Sequence, residues 1–107
     1  MILGPSGQNI YPEEIEQLLN NMPYVNESLV IDDHGSLLAL VHPDMDSATH
    51  EGLSSADIDK IMNDNIHQLN QELPAYSKIK NIKIMHEEFE KTPKRSIKRY
   101  LYTSSSK

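Results

Sequence analysis

The sequence predicts a small α+β domain whose sheet of roughly three strands is flanked by helices. Three observations carry that expectation. Apolar residues recur at helical spacing in two stretches: Ile15, Leu18, Leu19 and Met22, then Ile58, Ile61, Met62, Ile66, Leu69 and Leu73. Two short apolar runs, Ser28-Leu29-Val30-Ile31 and Leu37-Leu38-Ala39-Leu40-Val41, flank the polar stretch Asp32-Asp33-His34-Gly35. Ile82 and Ile84 alternate with Lys83, the pattern of a half-buried strand.

The elements follow in order. Pro12 suits the first position of a helix, and Glu13, Glu14 and Glu16 complement the positive end of its dipole. Asn21 and Pro23 end that helix. The Asp-Asp-His-Gly stretch reads as a hairpin turn between two strands, the second of which stops at Pro43. Residues 44–52 read as a polar loop. Ser54 or Ser55 caps a second helix that Pro74 stops. A third strand follows, then a charged connection over residues 87–95 that holds Pro93. A last short helix is expected to align Ile97, Tyr100 and Leu101. The tail Thr103-Ser104-Ser105-Ser106-Lys107 is of low complexity and expected to fray.

Composition bounds the function. A chain of 107 residues, 37% hydrophobic and 24% charged, is one domain around one modest core. It has no cysteine, which excludes disulfides, thiolate nucleophiles and zinc-thiolate sites. Its start lacks the pattern of a signal peptide and it has no apolar stretch of transmembrane length, so a cytoplasmic setting is expected. The net charge of −6 and a pI near 5.2 speak against a dedicated nucleic-acid binder. Charge is segregated, however. Residues 1–59 contain no lysine or arginine, and half of the ten basic residues fall between Lys91 and Arg99. That segment, Lys-Thr-Pro-Lys-Arg-Ser-Ile-Lys-Arg, is a proline-stiffened cationic loop suited to a phosphate or carboxylate, although a solvated charged face has the same composition.

Other features carry less. Gly4-Pro5-Ser6-Gly7-Gln8-Asn9 exposes backbone just before a helix but lacks the spacing and lysine of a P-loop. The histidines at 34, 42, 50, 67 and 86 have no metal-binding spacing. Asp44 and Asp46 do not open a calcium loop, since Thr49 and Ser55 would fill its sixth and twelfth positions. Asn26-Glu27-Ser28 is a formal glycosylation sequon without a secretion signal, and Met22 and Met62 read as core.

Two segments together resemble a known family. The run from Ser6 through Gly7-Gln8-Asn9-Ile10-Tyr11-Pro12 to Glu16 resembles the motif that opens the C-terminal subdomain of adenylate-forming enzymes, which include acyl-CoA synthetases, luciferases and peptide-synthetase adenylation domains. The run from Glu90 through Pro93 and Ile97 to Tyr102 resembles that subdomain's last motif, and its ending is most similar to bacterial long-chain fatty acid CoA ligases. The resemblance covers residues 1–107 and implies the mobile lid of a two-step ligase. A carboxylate and ATP-Mg²⁺ give an acyl-adenylate and pyrophosphate; CoA thiol then displaces AMP. The lid rotates against the enzyme's own large N-terminal domain between steps, which implies that this chain is a fragment, inactive alone, with its hinge at or before Met1. Any contact with a membrane would come through the missing domain.

Site residues follow from the same resemblance. Gly7, with Ser6 and Gln8 beside it, matches the glycine that admits the pantetheine arm of CoA to the backbone. The family's last motif places a catalytic lysine immediately before isoleucine, where this chain has Ser96. A serine hydroxyl supplies no positive charge to an adenylation transition state. Either Lys94, Lys98 or Arg95 takes the role through a shift of the loop, or the parent adenylates weakly. Two alternatives accompany this expectation: a non-catalytic module that binds a protein or acyl carrier through the 91–99 cluster, and the lid of a ligase that loads an acyl-carrier protein or takes an aryl or medium-chain acid.

Overall fold

The computed structural model describes residues 2–3, 7–33, 36–94, 96–98 and 101–102, with Ile2, Leu3 and Asp33 described by backbone only. The element order is β1 (Ile2–Leu3), β2 (Asn9–Ile10), α1 (Pro12–Asn20), β3 (Val25–Asp33), β4 (Ser36–Pro43), α2 (Met45–His50), α3 (Ser55–Glu72), a 3-10 turn (Ala75–Ser77) and β5 (Ile79–Ile84). β1 and β2 form a small antiparallel ribbon. The main sheet has the order β3-β4-β5, with β3 and β4 antiparallel and β5 parallel to β4. The expected α+β class with three principal strands is what the chain adopts.

The two faces of this sheet are covered differently. On the first, Val30, Leu37, Ala39, Val41 and Ile79 pack with Ile15 and Leu19 of α1 and Ile58, Met62, Ile66 and Leu69 of α3. On the second, Leu29, Ile31 and Leu40 pack with Phe89, flanked by Met85, Ile97 and Tyr102 from the C-terminal segment. Strand alternation divides the residues between faces. A bulge between Val25 and Glu27 switches the parity, so Val25 joins the first core while Glu27 shares the second face with Leu29 and Ile31.

Side-chain amides and carboxylates fix the edges. The Asn70 side chain donates to the Ile79 carbonyl at 2.9 Å and accepts from its N–H at 2.8 Å, tying α3 to the start of β5. Asn65, buried in α3, donates to the Pro23 carbonyl at 2.9 Å. That bond holds the turn in which Tyr24 takes a φ of 61°, and the Tyr24 hydroxyl donates to Glu51. Ser54 caps α3 through a reciprocal box with Asp57.

Several local expectations need correction. Residues 44–52 are not a plain loop. Asp44 accepts from the Ser47 N–H and hydroxyl, and this cap nucleates α2. Leu18 lies outside the buried stripe at 45% exposure, whereas Glu16, expected as a solvated helix-start charge, is 8% exposed. Its Oε2 accepts from the Val30 N–H at 2.7 Å, satisfying an amide of β3, an edge strand of the described sheet. In place of a helix that starts at Ile97, the Leu101 N–H donates to the Lys98 carbonyl at 3.0 Å, a single turn of 3-10 type. Ile97 forms an antiparallel bridge with Lys91 and packs on the second face, and Leu101 is exposed. Tyr100 and residues 103–107 lie outside the described residues, as do His34 and Gly35 of the hairpin turn, whose strands pair out to Asp33 and Ser36.

Ser54→Ala removes one half of the capping box and should lower the unfolding free energy by about 1 kcal/mol in urea titration. The Ser54 backbone N–H and hydroxyl hold the Asp57 carboxyl below its ordinary range. A carboxyl lowered in the folded state binds fewer protons there than when unfolded. Its stabilisation is therefore full above the unfolded pKa and lost as pH falls through the folded one. The Asp57→Asn variant should accordingly show a shallower acid-side loss of stability than wild type below about pH 4.

Candidate functional site

The two motif segments occupy different parts of the fold. Gly7 and Gln8 directly precede β2, and α1 begins two residues after Ile10. Ser6 lies outside the described residues. Gly7 is exposed with φ +84°, a backbone conformation that side chains disfavour, and a Cβ there would meet nothing within 4 Å. The backbone at Gly7 is thus open to approach, and Gln8 beside it is half-buried. The groove next to this loop is lined by Ile10, Tyr11, Leu18, Leu73 and Tyr76, with a volume of about 250 Å³.

The last motif is a bracket built on the second face of the sheet. Phe89, 3% exposed, anchors it, and Tyr102 packs edge-on to the Phe89 ring with centroids 5.1 Å apart. The Tyr102 hydroxyl also accepts from the Glu90 N–H at 2.9 Å. Between these anchors the chain folds back on itself. The Lys98 N–H donates to the Glu90 carbonyl at 2.8 Å, and the Thr92 N–H donates to the Ser96 carbonyl at 2.8 Å. The Ser96 N–H returns to Thr92 Oγ1 at 3.3 Å. At the base, Lys91 Nζ pairs with Glu27 Oε2 of β3 at 2.5 Å.

This geometry separates the cations. Lys91 is tied to Glu27, and Lys98 is half-buried with its backbone in the bracket. Lys94 is exposed at the tip beside Pro93 and pairs with no described acid. Arg95 and Arg99 lie outside the described residues. Ser96 is exposed on the rim of a cleft of about 530 Å³ that Glu13, Glu16, Asn20 and Glu27 also line. Of the carboxylates that line this cleft, Glu27 is paired to Lys91 and Glu16 accepts from the Val30 N–H. Gly7 and Gln8 do not line that cleft.

Glu16 and Glu27 escape a reading of sequence alone. The signal for Glu27 is its alternation with Leu29 and Ile31, which puts a charge on a half-buried face; the bulge that sends Val25 to the other face has no sequence signature. One oxygen of Glu27, Oε1, is buried and accepts no hydrogen bond among the described residues. Leaving a buried acceptor unmade costs about 1–3 kcal/mol. Among the described residues no group of three His, Cys, Asp or Glu side chains is placed to hold a metal, and no helix is long and apolar enough to cross a membrane.

The family model of the AMP-binding enzyme C-terminal domain matches residues 1–105. Solved structures share the fold. A Mycobacterium tuberculosis fatty acyl CoA synthetase aligns with a TM-score of 0.67 and 24% identity over 94% of this chain and 18% of its own. A Brucella canis acyl-CoA synthetase gives 0.73 and 22% over 99% and 19%. The adenylation domain of a Mycobacterium chelonae carboxylate reductase gives 0.75 and 18% over 92% and 17%. This chain therefore spans less than a fifth of each of these structures. No curated protein matches it.

Phe89→Ala should cost about 3–5 kcal/mol and detach the bracket from the sheet. Near-ultraviolet circular dichroism of Tyr102 and urea titration read the two effects.

Proposed function

Because this chain belongs to the AMP-binding enzyme C-terminal domain family, we propose that it works as the moving lid of an ATP-dependent long-chain fatty acid CoA ligase. The observation that carries the reading is the cationic bracket with a pinned base and an open tip. In the adenylation pose the tip meets the reacting phosphates while a carboxylate oxygen attacks the α-phosphorus and pyrophosphate leaves. Lys94 supplies the positive charge there, in place of the lysine that Ser96 lacks. Lys98 is the weaker substitute, being half-buried. In the second pose the Ser6-Gly7-Gln8 loop lies along the pantetheine arm while the CoA sulfur attacks the acyl carbon and AMP departs.

ATP, Mg²⁺, fatty acid and CoA are on this reading ligands of the whole enzyme, whose large N-terminal domain is this lid's partner. The fragment is inactive alone, and it acts in the cytoplasm, with any membrane contact made by the large domain. The nature of the acid is the finest part of the proposal and rests on the sequence ending from Thr92 to Tyr102.

Ser96 favours a second reading, in which the domain has lost adenylation and binds a protein or acyl carrier through its Lys91–Arg99 segment. Carboxylate-dependent pyrophosphate exchange by the full-length parent, with palmitate, separates the two. The lid reading expects an active wild type, a loss of about 100-fold in Lys94→Ala and a smaller loss in Lys98→Ala. A nearly silent wild type that Ser96→Lys revives supports the second reading instead.

A further inference from the structure

We propose that Glu27 is the positioning residue of the 91–97 loop: its carboxylate holds Lys91 at the base so that Lys94 is the cation presented at the tip. The clamp rests on geometry alone, and its catalytic consequence rests on the reading above. Glu27 reaches the loop because regular alternation puts it on the second face with Leu29 and Ile31, which support the same C-terminal segment. Its Oε2 lies 2.5 Å from Lys91 Nζ, and both side chains are mostly enclosed, at 17% and 30% exposure.

An ion pair in such surroundings is an expensive way to fasten a loop. Apolar contacts between Ile97 and the sheet already attach it. Moreover, the pair leaves Glu27 Oε1 buried and unmet by any described donor. The pair does two things that apolar packing does not. It fixes the direction in which the Lys91 stem leaves the bridge with Ile97, and so the register of the bracket. It also neutralises Lys91, which leaves exposed Lys94 to meet an incoming anion. The effect has a short path. Thr92, the next residue, bonds Ser96 through both its N–H and its hydroxyl, so a turn at Lys91 moves the whole tip.

The test has two arms. The first measures amide hydrogen exchange on this chain, comparing wild type with Glu27→Gln and with the reversed pair Glu27→Lys/Lys91→Glu. Glu27→Gln should speed exchange of the Thr92 and Lys98 amides about tenfold while leaving α3 unchanged. The reversed pair should recover protection to within about threefold of wild type. Unchanged Thr92 and Lys98 amides overturn the clamp. So does equal acceleration in α3, which marks a loss of overall stability. The second arm uses the full-length parent. Glu27→Gln should lower carboxylate-dependent pyrophosphate exchange about tenfold and leave thioester formation from supplied acyl-adenylate within about twofold. A loosened loop with undiminished pyrophosphate exchange, or equal loss in both half-reactions, overturns the catalytic consequence. A parent that performs neither half-reaction contradicts the lid reading, while the amide data still decide the clamp.

Discussion

A three-stranded sheet with apolar residues on both faces needs two covers, and the helices here supply only one. α1 and α3 bury the first face through Leu19, Ile58, Met62 and Leu69. The second face, with Leu29, Ile31 and Leu40, is left to the residues after β5, and Phe89 is the side chain that closes it. The position of the last motif follows from this need. The chain must cross the sheet to bury Phe89, Ile97 and Tyr102, and the segment between those anchors has nowhere to go but outward. A hydrophobic requirement thus produces a loop with a fixed base and an exposed tip.

Charge is arranged around that loop in a consistent way. Carboxylates gather in the cleft behind Ser96, and the lysine at the base is neutralised by one of them. The exposed lysine, Lys94, is not among the residues that line the cleft. Ser96 stands exposed among the residues that line that cleft.

Much of the fold was legible because its signals are local and periodic. The Ile58–Leu69 stripe, the Ser54 cap and the alternation of Ile82 and Ile84 each read correctly, and β5 extends back to Ile79 as a parallel partner of β4. What escaped depends on contacts distant in sequence. Glu16 is an edge cap because β3 lies beside α1, and nothing in a run of helix-start glutamates distinguishes it. α2 hides in a polar stretch because its stability comes from one capping aspartate rather than from an apolar face. Ile97 has the spacing of a helix start, yet the cover it supplies to the second face puts it in a bridge with Lys91, and only a single turn follows between Lys98 and Leu101. The site divides the same way. Motif spacing located the loop, whereas its separation into tied, half-buried and exposed lysines required the bracket and Glu27.

On the proposed lid reading the cation at position 94, not the side chain at 96, serves the phosphates, and moving the amine chemically separates the two. In the full-length parent, Lys94→Cys is assayed for carboxylate-dependent pyrophosphate exchange before and after aminoethylation, with wild type treated alongside. The cysteine variant should be nearly inactive, and aminoethylation, which restores an ammonium at lysine length, should recover most of the rate. A Lys94→Cys enzyme that exchanges pyrophosphate at the wild-type rate before treatment would contradict that reading.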